Sequence, residues 1–298
     1  MKIGALIVTY NRLAKLKETL KATMALPFEN IIVVNNASTD DTAEWLQTLT
    51  DHRLTILTIS ENCGGAGGFK YGSRWISLNL AIDWVLFYDD DAYPRYDFFD
   101  RLSEESLEST VVYACNVKNK KDQRCKMNIP WKKYPHGIFG NIKYKLNDSL
   151  YVPDGELKEH VVSVSFVGML INISVLKLNY RFIDESLFIY YDDVFFAHNL
   201  IQNKIPIIYL PNVNVIHDVD TTDVSIAPWK LYYLVRNLIL SRHLFIQNPP
   251  FSVVDIMLRL AKYCIVALMH SQCKNALSSV ITGVVDGLKN CRGKRHTS

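Results

Sequence analysis

Four apolar runs, each breaking off into polar residues, constrain what this chain can fold into more than any other feature. They read "KIGALIVTY", "NIIVVNN", "RLTILTIS" and "DWVLFYDDDAYP", and each is short and rich in β-branched residues, as buried strands are. Amphipathic stretches separate them. Leu13 to Met24 follows the first run, and "STDDTAEWLQTL" follows the second, opening on serine, threonine and aspartate, which favour helix N-caps. Before the fourth run, the glycine stretch "NCGGAGGFKYG" leads into a helix with apolar positions near Trp75, Ile76, Leu78 and Leu80. Strands alternating with helices predict an α/β fold with a mostly parallel central sheet, right-handed crossovers and flanking helices. Ligands of such sheets gather at the C-terminal ends of the strands. Thr9 to Arg12, Asn35 to Ser38, Asn62 to Gly68 and Asp89 to Asp91 all fall at such ends and are expected to line one crevice.

The glycines come close to the GxGxxG fingerprint of dinucleotide-binding turns without completing it in any register. Two arguments exclude that reading. Two β–α units already precede the stretch, whereas the fingerprint belongs directly after the strand that opens the unit. One ribose contact also needs one carboxylate, and the strand that follows ends in three. Adjacent like charges at a buried strand end repel and are costly to desolvate unless a cation or solvent compensates them. A divalent metal explains Asp89, Asp90 and Asp91 economically, and hard oxygen ligands suit Mg²⁺ or Mn²⁺, which commonly hold phosphate oxygens as well. Against this stands a solvated turn for the acids, and a tight turn with positive φ for the glycines.

Composition narrows the field further. The chain has 298 residues, enough for one large domain or one domain with a C-terminal appendage. Its 33 basic against 30 acidic residues give too small an excess to suggest nucleic-acid binding. The six cysteines (Cys63, Cys115, Cys125, Cys264, Cys273, Cys291) show neither CxxC spacing nor a disulfide framework, and free thiols in a reducing cytosol are expected. The N-terminal apolar run is too short for a signal peptide and reads as a strand.

Later in the chain, residues from about Asn116 to Glu159 are rich in Lys, Tyr, Asn and Pro with little periodicity, and read as an irregular excursion over the site. "VVSVSFVGMLINISVLKLN" predicts a strand and a short helix. A helix with Asp192 and Asp193 near its start follows, then a last strand ending on His217. From Trp229 the chain reads as helical and ends in the basic tail "KNCRGKRHTS".

The ordered set "VTYNR", "VVNNASTDDT", "ENCGGAGGFKYG", "FYDDDAYP", "FVGMLI", "IYYDDVFFAHNLIQNKIPIIYLPNVNVIH" and "YYLVRN" resembles family-2 glycosyltransferases of the GT-A fold. Within that family it is most similar to galactofuranosyltransferases, with bacterial rhamnosyltransferases as the rival. The resemblance spans residues 1 to roughly 240, leaving 241–298 as a helical appendage. It implies a nucleotide-sugar donor, UDP-linked by preference. Thr9, Asn11, Arg12, Asn35 and Asn36 fall where the family holds base and ribose, although the family often has aspartate at the place of Asn35. Asn62, Gly65 and Gly68 would let backbone approach the donor. Asp89 and Asp90 lie toward the nucleotide sugar, and Asp89, Asp91 and His217 form the implied shell for Mn²⁺ or Mg²⁺. A lone histidine ending an apolar strand is also commonly structural, and both readings of His217 stay open. Arg236 is expected to meet phosphate or acceptor, against the alternative of an arginine serving the fold. Trp131 is a candidate for stacking on the acceptor sugar.

The chemistry this implies is direct displacement. Charge developing on a nucleoside diphosphate leaving group needs a cation, and a sugar hydroxyl attacks well only if a base removes its proton. Asp193, or failing that Asp192, is the candidate base, with the N-terminal helix dipole favouring ionised carboxylates there. Those two acids merely capping a helix is the competing reading. Attack opposite the leaving group inverts the anomeric centre. The acceptor class is a glycan or lipid-linked oligosaccharide of cell-surface polysaccharide synthesis. A non-catalytic glycan-binding protein of the same fold is the reading from another class, and the intact acidic motifs argue against it.

The segment "FSVVDIMLRLAKYCIVALMH" is interrupted by Asp255, Arg259 and Lys262, so it fails as a membrane span. An amphipathic helix on the inner face of a bacterial plasma membrane, a contact with a second copy of the chain, and a plain helical cap on the domain remain as readings.

Overall fold

Every residue of the first strand, β1 (Ile3–Thr9), is buried, which places it at the centre of a sheet covered on both faces. The computed structural model describes residues 1–219 and 226–296; the last two residues of the basic tail lie outside the described residues. After β1 come α1 (Leu13–Met24), β2 (Asn30–Asn35), α2 (Thr42–Gln47), β3 (Leu54–Thr58), α3 (Gly64–Asn79) and β4 (Trp84–Asp89). These strands pair in parallel in the order β3-β2-β1-β4, the arrangement the alternating runs predict.

Beyond β4 the sheet changes character. The chain continues through β5 (Ala92–Pro94), α4 (Phe98–Ser103), β6 (Val112–Lys118), α5 (Gly137–Leu146), β7 (Glu159–Val161), β8 (Met169–Asn172), α6 (Ile173–Asn179), α7 (Asp192–Gln202) and β9 (Ile207–His217). β8 lies antiparallel between β4 and β6, β9 runs parallel to β6, and the short β5 and β7 pair antiparallel with β9. The nine-stranded sheet is therefore mixed rather than mostly parallel. The antiparallel strands are short and lack helical crossovers, so alternation of runs could not announce them.

Side-chain alternation splits the core into two layers. Ile3, Ala5, Ile7, Leu86 and Tyr88 point to the side covered by Leu16, Leu20, Leu46 and Phe98. Leu6, Val8, Val85 and Phe87 point to the other side, against Phe69, Ile76, Leu176 and Phe196. A third cluster joins Phe195 of α7 and Tyr134 to the C-terminal helices α8 (Pro228–Leu244), α9 (Val253–Leu268) and α10 (Cys273–Leu288). A division at residue 240 would cut through α8, which is buried along most of its length.

The stretch read as irregular holds α5, a 3-10 turn at Asp148–Leu150 and the end of β6. No residue of α5 is buried, so the helix left no buried stripe for periodicity to detect.

Candidate active site

β1 and β4 lie side by side, with Val8 opposite Asp89, so the loops "TYNR" and "DDDAY" leave the sheet together. Thr9 donates its hydroxyl to Asp90 Oδ2 at 2.8 Å, and the Tyr10 amide reaches the same oxygen at 3.2 Å. Arg12 Nη1 bridges Asp90 Oδ1 at 3.3 Å and Asp91 Oδ2 at 2.5 Å. Asp90 thus ties the two loops together through Thr9, Tyr10 and Arg12. Burial raises its carboxyl to about 6 even with Arg12 alongside.

Asp91 behaves differently. Burial opposes its ionisation, yet His217 and Arg12 outweigh burial and hold it below the ordinary carboxylate range. Its Oδ1 lies 3.2 Å from His217 Nε2 but accepts no hydrogen bond and is buried. Asp89, at the end of β4, is pushed well above the ordinary range by burial and then by Asp91 and Asp90. A buried carboxylate oxygen without a donor, beside a second carboxylate crowded by like charge and an imidazole nitrogen, suits a hard divalent cation. Asp89, Asp91 and His217 do not, however, make a closed shell. Among the described residues no group of three or more His, Cys, Asp or Glu side chains could hold a metal ion by itself, so a cation at Asp89, Asp91 and His217 would need further oxygen ligands.

The asparagines do other work than expected. Asn35 accepts the Ser38 amide at 3.0 Å, and Asn11, left-handed at φ 52°, exchanges hydrogen bonds with Thr39. Both shape the loops after β1 and β2. Asn36 gives its amide to the Gly64 carbonyl at 2.9 Å and accepts the Cys63 amide at 3.0 Å. Asn62 accepts the Gly64 amide at 2.8 Å. Asn36 and Asn62 therefore clasp the glycine segment. The glycines form the first turns of α3 rather than a loop. A Cβ on Gly68 would meet Val8 Cγ1 at 2.4 Å, so this glycine lets α3 pack on β1, whereas a Cβ on Gly65 meets nothing within 4 Å. Only Gly65 keeps the expected role of admitting a ligand.

Asp192 and Asp193 open α7. Asp193 Oδ1 accepts the Val194 amide at 2.7 Å, and the Ser165 hydroxyl and Phe166 amide also serve its carboxylate. Burial nevertheless raises Asp193 to about 6, and Asp192 is raised further by burial and then by its neighbour. The dipole argument alone would have kept both acids fully ionised; burial overrides it.

The loop before α7 is strained. Phe188, Tyr190 and Tyr191 have φ of 67°, 68° and 66°, a region costing bulky residues about 1–3 kcal/mol each. Asn237 holds it by donating to the carbonyls of Leu187, Ile189 and Tyr190 at 3.1, 2.8 and 2.9 Å. Arg236 is 0% exposed and spends its guanidinium on the carbonyls of Leu187, Ser186 and Gly293 while stacked on Tyr232 and Tyr233. These contacts are those of an arginine serving the fold, the alternative to phosphate or acceptor binding: with Asn237 it clamps the segment that presents Asp192 and Asp193. Trp131 packs on Tyr134 and Tyr144, and its backbone joins Val162 and Ser163. It is only partly buried and belongs to the wall beside Asp193.

Three residues escaped the sequence reading. His217 Nδ1 lies 2.9 Å from Asn128 Oδ1, and Asn128 Nδ2 donates to Ser165 Oγ at 2.9 Å. Ser165 is also among the groups that favour the Asp193 carboxylate, so His217, Asn128 and Ser165 lie in a line from the triple aspartate toward the acids of α7. Asn128 sits in the aperiodic stretch and no spacing marks it; Ser165 precedes "FVGMLI" but is an ordinary loop serine by sequence. Lys230, near Arg12 and Asp91, has its ammonium pKa lowered by burial and by Arg12. Its only signal was its position two residues ahead of "YYLVRN".

The family model for glycosyl transferase family 2 matches residues 5–165, more than half of the chain. The chain belongs to that family. It is 24% identical over 249 residues to a dTDP-rhamnosyl transferase, RfbF, of Shigella flexneri, covering 80% of this chain and 79% of the relative. Among solved structures it is similar to a mannosyltransferase of Pyrobaculum calidifontis in complex with GDP-Man and Mn²⁺, at TM-score 0.57 and 16% identity, covering 97% of this chain and 87% of that one. It is also similar to residues 1–349 of Staphylococcus aureus TarS, at TM-score 0.53 and 18% identity, covering 98% and 83%. The fold is GT-A, and the family-2 member is a glycosyltransferase.

Proposed function

We propose that this glycosyltransferase moves one sugar from a nucleoside diphosphate to an acceptor hydroxyl by direct displacement with inversion. The observation that supports the reading is the crevice itself, where His217, Asn128 and Ser165 run from the acids after β4 toward the acids of α7 and Ser165 favours the Asp193 carboxylate. Asp193, partly buried and accepting the Val194 amide, is the base. As the acceptor oxygen bonds to the anomeric carbon and the carbon–diphosphate bond breaks, the acceptor proton passes to the Asp193 carboxylate. General-base assistance of this kind contributes about 10²–10⁴-fold. Asp89, Asp91 and His217 would hold a divalent cation together with the donor's own oxygens, and the cation supplies charge neutralisation of the departing diphosphate. The Mn²⁺ named with the mannosyltransferase complex supports that choice. Arg12 and Lys230 add positive charge on the same side.

For the donor we favour dTDP-rhamnose over UDP-galactofuranose. The sequence motifs alone ranked them the other way, but the relative that spans most of both chains is named for dTDP-rhamnose. The acceptor is a glycan or lipid-linked oligosaccharide. A donor screen with the purified chain, with and without Mn²⁺, tests the reading: Mn²⁺-dependent turnover of dTDP-rhamnose is the expected result. Turnover of UDP-galactofuranose alone would overturn the donor, and turnover of no nucleotide sugar would overturn the activity.

A further inference from the structure

The helix α9 is apolar on both sides. Ile256 and Ala267 face the core with partly buried Leu260, Tyr263 and Val266, while Met257, Leu258, Ile265 and Leu268 are exposed on the opposite side. A second apolar face that packs against nothing among the described residues marks an interaction surface, and this one is broken only by charges such as the exposed Lys262. α5 adds Ile138, Phe139, Ile142 and Leu146, all exposed.

The two helices are one structure. Asp255, 2% exposed, caps its own helix through Ser252 and also accepts from the Gly137 amide at 2.8 Å and Asn141 Nδ2 at 3.2 Å. That single carboxylate fixes the start of α5 against the start of α9.

Charge identifies what covers this surface. From residue 226 to the end the chain holds ten Lys and Arg but only two acids, Asp255 and Asp286. Both are buried; Asp286, 7% exposed, is bound by Tyr232 and Arg295. Lys143 and Lys145 of α5, Lys262 of α9 and Lys274 of α10 are exposed, so none of these three helices shows an exposed acid. The nearest acid past α5 is Asp148, on the following turn. A two-fold contact with a second copy would set like charge on like charge. No helix among the described residues is long and apolar enough to cross a membrane.

We propose that α5 and α9 together form a docking face that lies on an anionic lipid surface, with the apolar side chains in the headgroup–acyl boundary and the lysines at the headgroups. The face adjoins the acceptor side of the site. Tyr191, which precedes Asp192, meets Tyr263 of α9 hydroxyl to hydroxyl at 3.1 Å, and Tyr134 beside Asp193 packs on Phe251. A lipid-linked acceptor would therefore arrive next to the base. This deepens the functional reading, but vesicle binding needs no donor, so either idea can fail alone.

Co-sedimentation with phosphatidylcholine vesicles, plain or with about a third phosphatidylglycerol, tests it. The full chain is expected to bind the anionic vesicles, to be released by salt, and to ignore the neutral ones. Phe139→Glu with Leu268→Glu is expected to weaken binding by about tenfold or more while the helical circular dichroism and turnover with a water-soluble acceptor stay unchanged. Lys143→Glu with Lys262→Glu, which leaves the apolar side chains intact, is expected to lose the anionic preference. Absence of binding by the full chain, or wild-type binding to anionic vesicles by both double variants, overturns the proposal. So does a dimer in sedimentation that Phe139→Glu with Leu268→Glu dissolves, which would give the face to a second copy.

Discussion

Asn128 Oδ1 stands 2.9 Å from His217 Nδ1, leaving Nε2 as the ring nitrogen that meets Asp91. Such a contact orients an imidazole, and loss of a supporting group of this kind typically costs 10–100-fold in metal affinity or activity, on the order seen for outer-shell partners generally. Asn128→Ala is expected to raise the Mn²⁺ concentration for half-maximal transfer by about tenfold with little change in thermal midpoint. A purely structural asparagine would shift the midpoint and leave the Mn²⁺ dependence alone.

The raised Asp193 carboxyl gives a pH profile. The base works ionised, and burial lifts its pKa to about 6, so kcat should climb about tenfold per pH unit below that value and level off above it. Asp193→Asn removes the group and should lower kcat by about 10²-fold or more on the plateau above that pH and abolish the acid limb. A wild-type limb near the ordinary carboxylate value, or full activity in Asp193→Asn, would exclude this residue as the base.

Asn237 donates three hydrogen bonds to the left-handed loop before α7. Asn237→Ala leaves those carbonyls with fewer partners and frees a strained segment, so the denaturant midpoint should fall by the equivalent of about 2–4 kcal/mol. Transfer should fall more than donor binding, because the loop presents Asp193 to the acceptor. A larger rise in donor KM than fall in kcat would contradict this and place the clamp on the donor side.

Gly65 and Gly68 should separate cleanly. Gly68→Ala drives a methyl to within 2.4 Å of Val8, and such overpacking costs about 1–3 kcal/mol. Gly65→Ala meets open space and gains helix propensity of up to about 1 kcal/mol, so it should hold or raise stability while raising donor KM. An unchanged KM in Gly65→Ala would mean that the glycine segment only packs.

What was legible in the sequence follows from burial. The strands β1, β2 and β4 are covered on both faces and leave continuous apolar runs, and the edge strand β3, only partly buried, keeps its β-branched residues, so their order and strand-end loops could be read directly. β5 and β7 are three residues long and α5 buries nothing, so neither period could appear. At the site, the residue types of the acidic motifs were readable, but their division of labour was not. Asp90 is tied to Thr9 and Arg12 while Asp91 keeps an oxygen without a donor, a difference set by neighbours 78 or more positions away. Arg236 and Asn237 fell in a motif whose importance was evident, but their partners are backbone carbonyls some fifty residues earlier, which no spacing encodes.

Transfer measured across a chelation and Mn²⁺ add-back series, wild type beside Asp91→Ala, tests the central claim of cation-dependent sugar transfer most directly. Wild-type activity should vanish in chelator and return with Mn²⁺, while folded Asp91→Ala stays at least about 10²-fold lower at the same Mn²⁺. Full wild-type activity in chelator, or wild-type rates from Asp91→Ala, would contradict it.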